Sequence, residues 1–151
     1  MARRPVAVVA AIVLLVEAVG IVVINGILAT FVDKQSMSLA DLDPDAMVTG
    51  TWVMGGVFGL YLAACGVVLL LAGLRDRAPG RAARILLISC AIVHGVLGAL
   101  TVGLVGWDAF AFMMVGLGLI VLTLVAYGKR DAPRDSEPKS EPAPTNGAAP
   151  A

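Results

Sequence analysis

The chain has 151 residues, 59 % of them hydrophobic and 15 % charged, with a formal net charge of zero and a mean hydropathy of +0.92. Soluble domains lie nearer half apolar and about a quarter charged, so this composition excludes an ordinary soluble fold. The charge balance gives no ground for a nucleic-acid partner.

The charges are also segregated. Between Val6 and Val32 the only ionisable residue is Glu17; Thr49 to Leu74 carries no charge, Ile85 to Val105 only His94, and Ala109 to Tyr127 none. Each run reaches the roughly 18 to 20 residues that cross about 30 Å of hydrocarbon. The expectation is an all-α polytopic membrane protein, a four-transmembrane-helix bundle whose main partner is the lipid bilayer.

The first span is predicted over residues 6–32, after a short N-terminal segment at 1–5. Pro5 suits a first helical turn, where its missing N–H needs no partner. Arg3 and Arg4 resemble the n-region of a signal peptide, but the apolar run far exceeds an h-region of about 7 to 15 residues and no A-x-A site follows. The span is therefore expected to be retained. Residues 33–43 form a short acidic outer loop, with a helical turn from Ser38. Asp43-Pro44-Asp45 reads as an N-cap followed by Pro at the first helical position, which starts the second span, 44–74. Ala78-Pro79-Gly80 breaks the chain inside a turn at 75–81. The third span covers 82–105. Gly106-Trp107-Asp108 makes a tight outer turn with Asp108 as cap, and the fourth span covers 109–128. Residues 129–151, rich in Pro, Ala and Glu with little to bury, are expected to be a disordered tail.

Orientation follows from the basic residues. Arg3, Arg4, Arg75, Arg77, Arg81, Arg84, Lys129, Arg130, Arg134 and Lys139 fall on one side, against Lys34 alone on the other. By the positive-inside bias both termini are cytoplasmic. Trp52, Trp107 and Phe31 near the outer boundary and Tyr127 near the inner one have the positions of an aromatic belt. The preference for Arg over Lys and the abundance of Ala, Val and Gly accompany high-GC bacterial genomes, so the expected location is a bacterial plasma membrane.

Two internal likenesses bear on packing. Leu69–Pro79 (LLLAGLRDRAP) resembles Thr123–Pro133 (TLVAYGKRDAP), as a duplicated helical hairpin would and as high-GC membrane helices ending in a small residue, cations and Pro would too. Helices in lipid associate through small residues, and two stripes stand out: Gly55, Gly59 and Ala63 on the second span, and Ala91, Gly95, Ala99 and Gly103 on the third. They read as packing faces within the bundle, with the second and third helices as antiparallel neighbours, or as an interface with a second copy or another membrane protein. Met113 and Met114 read as packing residues. Cys65 and Cys90 read as small buried hydrophobes, with no CxxC and no zinc-ligand spacing. No metal site and no cofactor is expected.

The polar residues inside the spans are the candidate site. A mid-span carboxylate is costly and faces a bundle interior or cavity. Glu17 lies 12 residues beyond Pro5 and His94 12 beyond Ala82, so each is about 18 Å from its helix start. Tyr61 falls at nearly the same depth, and Cys90, His94 and Thr101 share one helix face. Two readings are open: a proton-binding or proton-relaying site of Glu17 and His94 with Tyr61, or a hydrogen-bonded clamp between helices 1 and 3. Burial and pairing act in opposite senses on the proton affinities of such a couple. Asn25 reads as a further packing hydrogen bond.

Glu17-Ala18-Val19-Gly20 in the first of four helices resembles the small multidrug resistance transporters, in which a helix-1 Glu followed three residues later by Gly exchanges protons for hydrophobic cations. That resemblance implies a proton and substrate carboxylate at Glu17 alone. The likeness covers about a dozen residues; the third span offers His94 and no Trp, and Asn25 stands where the family's Lys is expected. In layout and composition the chain is similar to the small four-helix integral membrane proteins of high-GC bacteria.

HExxH, GxSxG, CxxC and glycine-rich phosphate loops are all absent from the sequence. The expected function is that of a non-enzymatic structural or accessory membrane subunit. The alternative is a proton-linked small-molecule transporter using Glu17 and His94.

Overall fold

A computed structural model describes residues 3–35 and 43–128. They form four helices: α1 Arg3–Gln35, α2 Pro44–Arg75, α3 Arg81–Leu104 and α4 Trp107–Gly128. Each is long and apolar enough to cross a membrane; the shortest, α4 with 22 residues, extends about 33 Å at 1.5 Å per residue. The segments 1–2, 36–42 and 129–151 lie outside the described residues, and with them most of the acidic loop and the tail.

The helix ends are set by local chemistry. Asp43 caps α2: its side chain accepts from the Asp45 N–H at 2.9 Å, and Pro44 opens the helix. At the other end Asp76 turns into the left-handed region at φ 48°, stopping α2 before Pro79. The α3–α4 reversal differs from expectation by two residues. Gly106 adopts φ +125°, a conformation that side chains resist. The N–H groups of Val105 and Gly106 both close on the Thr101 carbonyl, and that of Phe110 on Gly106. So α4 begins at Trp107, and Asp108 lies in its first turn rather than at the cap.

The helices run antiparallel in a ring, α1 beside α2, α2 beside α3, α3 beside α4 and α4 beside α1. The start of α1, the α2–α3 turn and the end of α4 gather at one end, here termed basal; the α3–α4 turn marks the distal end. The α1–α2 pair is by far the most intimate, and α2 and α3 touch least despite their short connection. Glycines account for this. A Cβ on Gly55 would strike Asn25, one on Gly59 would strike Val22 and approach the Ala18 carbonyl, one on Gly66 would meet Leu15, and one on Gly73 would meet Val8 and Ala7. The stripe on α2 therefore receives α1, not α3.

The stripe expected on α3 has no such role. A Cβ at Gly95 or Gly103 meets nothing within 4 Å, and Ala99 is exposed. Of that stripe, Ala91 packs against the core from a partly buried position. The buried face of α3 instead runs Leu87, Cys90, His94, Gly98, and Met113 and Met114 of α4 pack onto Gly98. A helix whose lipid-facing and core-facing residues are equally apolar does not reveal its rotation by composition.

Tyr127 also differs from expectation. It is 1 % exposed, and its hydroxyl donates to the Ala72 carbonyl across the ring at 3.2 Å. The group thus belongs to the basal core rather than to an interfacial belt. Trp52, Trp107 and Phe31 are more than half exposed toward the distal end.

Overpacking a close helix contact costs about 1–3 kcal/mol. Gly59→Leu is expected to lower stability by about that amount, whereas Gly95→Ala is expected to leave it within about 0.5 kcal/mol. Loss of helical circular dichroism on titrating the detergent-solubilised protein with sodium dodecyl sulfate measures both. Equal stability of the two variants would contradict the α1–α2 contact.

Candidate functional site

Glu17 and His94 meet in the centre of the ring. Their helices stand on a diagonal, with α2 and α4 on either side, yet Glu17 Oε2 lies 2.9 Å from His94 Nε2. The two side chains are only 5 % and 3 % exposed. What permits the approach is Gly116 on α4: a Cβ there would lie 3.2 Å from Glu17 Oε1 and from His94 Cδ2. Gly116 is 12 residues from the α4 end at Gly128, the same spacing that set Glu17 and His94 level, so the sequence held a signal for it that depth alone reveals.

The hydrogen bonds fix where the protons are. His94 Nδ1 is 2.9 Å from the Cys90 carbonyl oxygen, with the Cys90 sulfur 3.7 Å away. A carbonyl only accepts, so Nδ1 carries a hydrogen and donates it. One further proton is then shared between Nε2 and Oε2. Whether it resides on imidazole or carboxyl, the pair has no net charge. The second carboxyl oxygen, Glu17 Oε1, is buried and has no hydrogen-bond partner in the structure.

Tyr61 stands apart from this pair. Its hydroxyl is 2.7 Å from Ser89 Oγ, which donates onward to the Leu86 carbonyl at 2.8 Å; the interaction ties α2 to α3 where their backbones stay apart. Asn25 donates to the Ile21 carbonyl of its own helix while its stem fills the notch over Gly55. Thr30, Thr51, Thr101 and Thr123 likewise bond carbonyls three or four residues back, which satisfies hydroxyls in an apolar setting without a second helix. Cys65 and Cys90 are free thiols, wholly buried in the core. Among the described residues no group of three His, Cys, Asp or Glu is arranged to hold a metal ion.

The pair also marks a change in packing. All the largest fully buried side chains, Leu14, Cys65, Leu69, Leu87, Cys90, Ile120, Thr123 and Tyr127, lie on its basal side. On its distal side the buried positions are Ala18, Ala29, Gly55, Gly59 and Gly98. Beside the pair lies a cavity of about 350 Å³ reached by all four helices, with Glu17 and His94 in its wall beside Ile21, Phe58, Leu62, Leu97 and Met113. It opens at the bundle surface beside Val16, Ile24 and Phe112.

Breaking a buried acid–base pair by removing one partner costs about 3–5 kcal/mol, and replacing both by apolar groups of similar volume restores much of it. His94→Leu is expected to destabilise the protein by several kcal/mol, about 3, and Glu17→Leu/His94→Leu to be more stable than His94→Leu alone. A double-mutant cycle by detergent-to-sodium dodecyl sulfate unfolding checks this. Strict additivity of the two substitutions would mean that the pair makes no energetic contact.

No protein-family model, no curated protein and no solved structure matches this chain, so the reading of its function rests on the arrangement of its own residues.

Proposed function

We propose that the chain is a four-span integral membrane protein of the bacterial plasma membrane, with both termini cytoplasmic, acting as a non-enzymatic structural or accessory subunit. The observation that carries this reading is the Glu17–His94 hydrogen bond, buried and made across the diagonal. A polar pair of this kind locks the relative depth and rotation of α1 and α3, which apolar helices in lipid otherwise leave loosely specified. The role implies a membrane-protein partner or a second copy. The exposed distal rim of Trp52, Trp107 and Phe31 and the basal arginines supply contacts at the two bilayer interfaces.

A second reading, proton-linked transport of a small molecule through Glu17 and His94, is favoured by one specific observation: the pair lines a cavity open to the bundle surface. The shared proton is then the exchangeable one.

Two measurements test these readings. Reporter fusions at the C-terminus are expected to be active only as cytoplasmic reporters; periplasmic activity would overturn the orientation. Purified protein in weakly buffered detergent is expected to release no proton when hydrophobic cations are added, whether wild type or Glu17→Gln. Release from the wild type that disappears in Glu17→Gln would establish the transport reading in place of the structural one.

A further inference from the structure

The basal end of the bundle is strongly positive. Its described residues hold Arg3, Arg4, Arg75, Arg77, Arg81 and Arg84 against a single acid, Asp76. The α2–α3 turn decides how those charges are shared. Asp76 sits in the left-handed region at φ 48°, which reverses the chain between two arginines, and its carboxylate is held 3.8 Å from Arg4 of α1. Arg75 and Arg77, its neighbours on either side, line a different space, a cavity of about 230 Å³ from whose wall Asp76 is absent. Among the described residues neither of these arginines has an ion-pair partner. The turn thus sends its one acid toward α1 and leaves two cations together without an anion.

The rest of the cavity wall is apolar. It is formed by Val68, Leu71 and Ala72 of α2, Ala78, Pro79 and Gly80 of the turn, and Ala83 of α3, between the least closely packed neighbours in the ring. Val68 is seven residues inward of Arg75, about 10 Å along the helix. The cavity therefore joins guanidinium groups at the basal surface to an apolar wall deeper in the span. Leu71 is 40 % exposed, so the same wall is open on the outside of the bundle. The volume is below the roughly 300–1,000 Å³ of pockets that enclose a small molecule. Such a space takes one end of a molecule whose remainder lies outside it.

Charge and shape together choose that molecule. Two guanidinium groups favour a phosphate, whose oxygens accept their parallel N–H donors, and a wall without an acid offers an ammonium group no seat. The apolar side favours a hydrocarbon chain attached to that anion. Basic pockets between membrane helices recognise anionic lipid headgroups by this combination.

We propose that the α2–α3 cavity is a binding site for an anionic glycerophospholipid, whose phosphate pairs with Arg75 and Arg77 and whose chain starts along Val68 and Leu71. The inference rests on the membrane setting proposed above and is independent of Glu17 and His94. A further arginine supplies the control. Arg84 lies on the other side of Ala78 and Pro79, beside Leu124 and Tyr127, and does not line the cavity.

The purified full chain in non-ionic detergent is titrated with dioleoyl phosphatidylglycerol, dioleoyl phosphatidylcholine and free glycerol phosphate, and bound species are counted by native mass spectrometry. Phosphatidylglycerol is expected to bind about thirty-fold more tightly than phosphatidylcholine, the equivalent of about 1 kcal/mol for each arginine. Glycerol phosphate is expected not to bind over the same range. Arg75→Gln/Arg77→Gln is expected to abolish the preference, and Arg84→Gln to keep it. Ala83→Leu, which enlarges a wall residue and keeps every charge, is expected to weaken phosphatidylglycerol binding with the fold intact by sodium dodecyl sulfate titration. Equal binding of the two lipids, binding unchanged in Ala83→Leu, or a preference that falls as far in Arg84→Gln as in the double variant would overturn the proposal. Binding of glycerol phosphate as tight as that of the lipid would overturn it in favour of a free anion. The same protein is expected to float with phosphatidylcholine vesicles on a density gradient. Failure to float would overturn the membrane setting and the site together, whereas flotation without a lipid preference would overturn the site alone.

Discussion

Two groups that ionise in water, set at mid-depth in helices that are otherwise apolar, have few ways to satisfy their hydrogen-bonding capacity. A mid-helix Ser or Thr turns back to a carbonyl of its own helix, as Thr30, Thr51 and Thr123 do. A carboxylate has no such outlet, because it only accepts and helix carbonyls offer it no donors. Glu17 needs a donor or acceptor from another element, and His94 supplies it across the ring. Much of the bundle's arrangement is compatible with that one bond: α4 presents a glycine where a side chain would separate the pair, and the helices are staggered so that all three positions share a level.

The bond also partitions the interior. Basal to it, side chains of full size fill the ring, and Tyr127 joins the remaining diagonal by bonding the end of α2. Distal to it, the ring is lined at its closest contacts by glycine and alanine. The small residues at Gly55 and Gly59 bring α1 against α2, while α3 and α4 meet over Gly98, and the centre between these two couples stays open. That opening is walled by larger side chains of all four helices, among them Phe58, Leu62, Leu97 and Met113, which surround it without filling it.

The spans were legible because charge is excluded from each of them, and the start of α2 because Asp43-Pro44 is a local signal that tertiary context did not alter. Depth was legible too: counting 1.5 Å per residue from the helix starts put Glu17 and His94 level, and the same count reaches Gly116 from the opposite end of α4. Rotation was not legible. Leu62 and Leu69 face the core while Leu60 and Leu74 face outward, and nothing in their chemistry distinguishes them. For that reason the small stripe on α2 turned out to receive α1, the stripe on α3 largely faced away, and Tyr61 met Ser89 rather than the acid–base pair. At the α3–α4 turn a glycine with positive φ shifted the cap by two residues, a backbone choice that the nearby Asp108 concealed.

Glu17 and His94 are 77 residues apart in the chain, and this separation has a meaning in time. Ribosomes add about 5–20 residues per second, so in the proposed membrane setting α1 is made roughly 4 to 15 s before its partner exists. During that interval the nascent protein holds a carboxyl group in hydrocarbon with no imidazole to receive it. The α1–α2 hairpin, the tightest contact in the fold, is synthesised before α3. In that proposed setting biogenesis would pass through a half-built state that advertises an unmatched polar group, and arrival of His94 would end it.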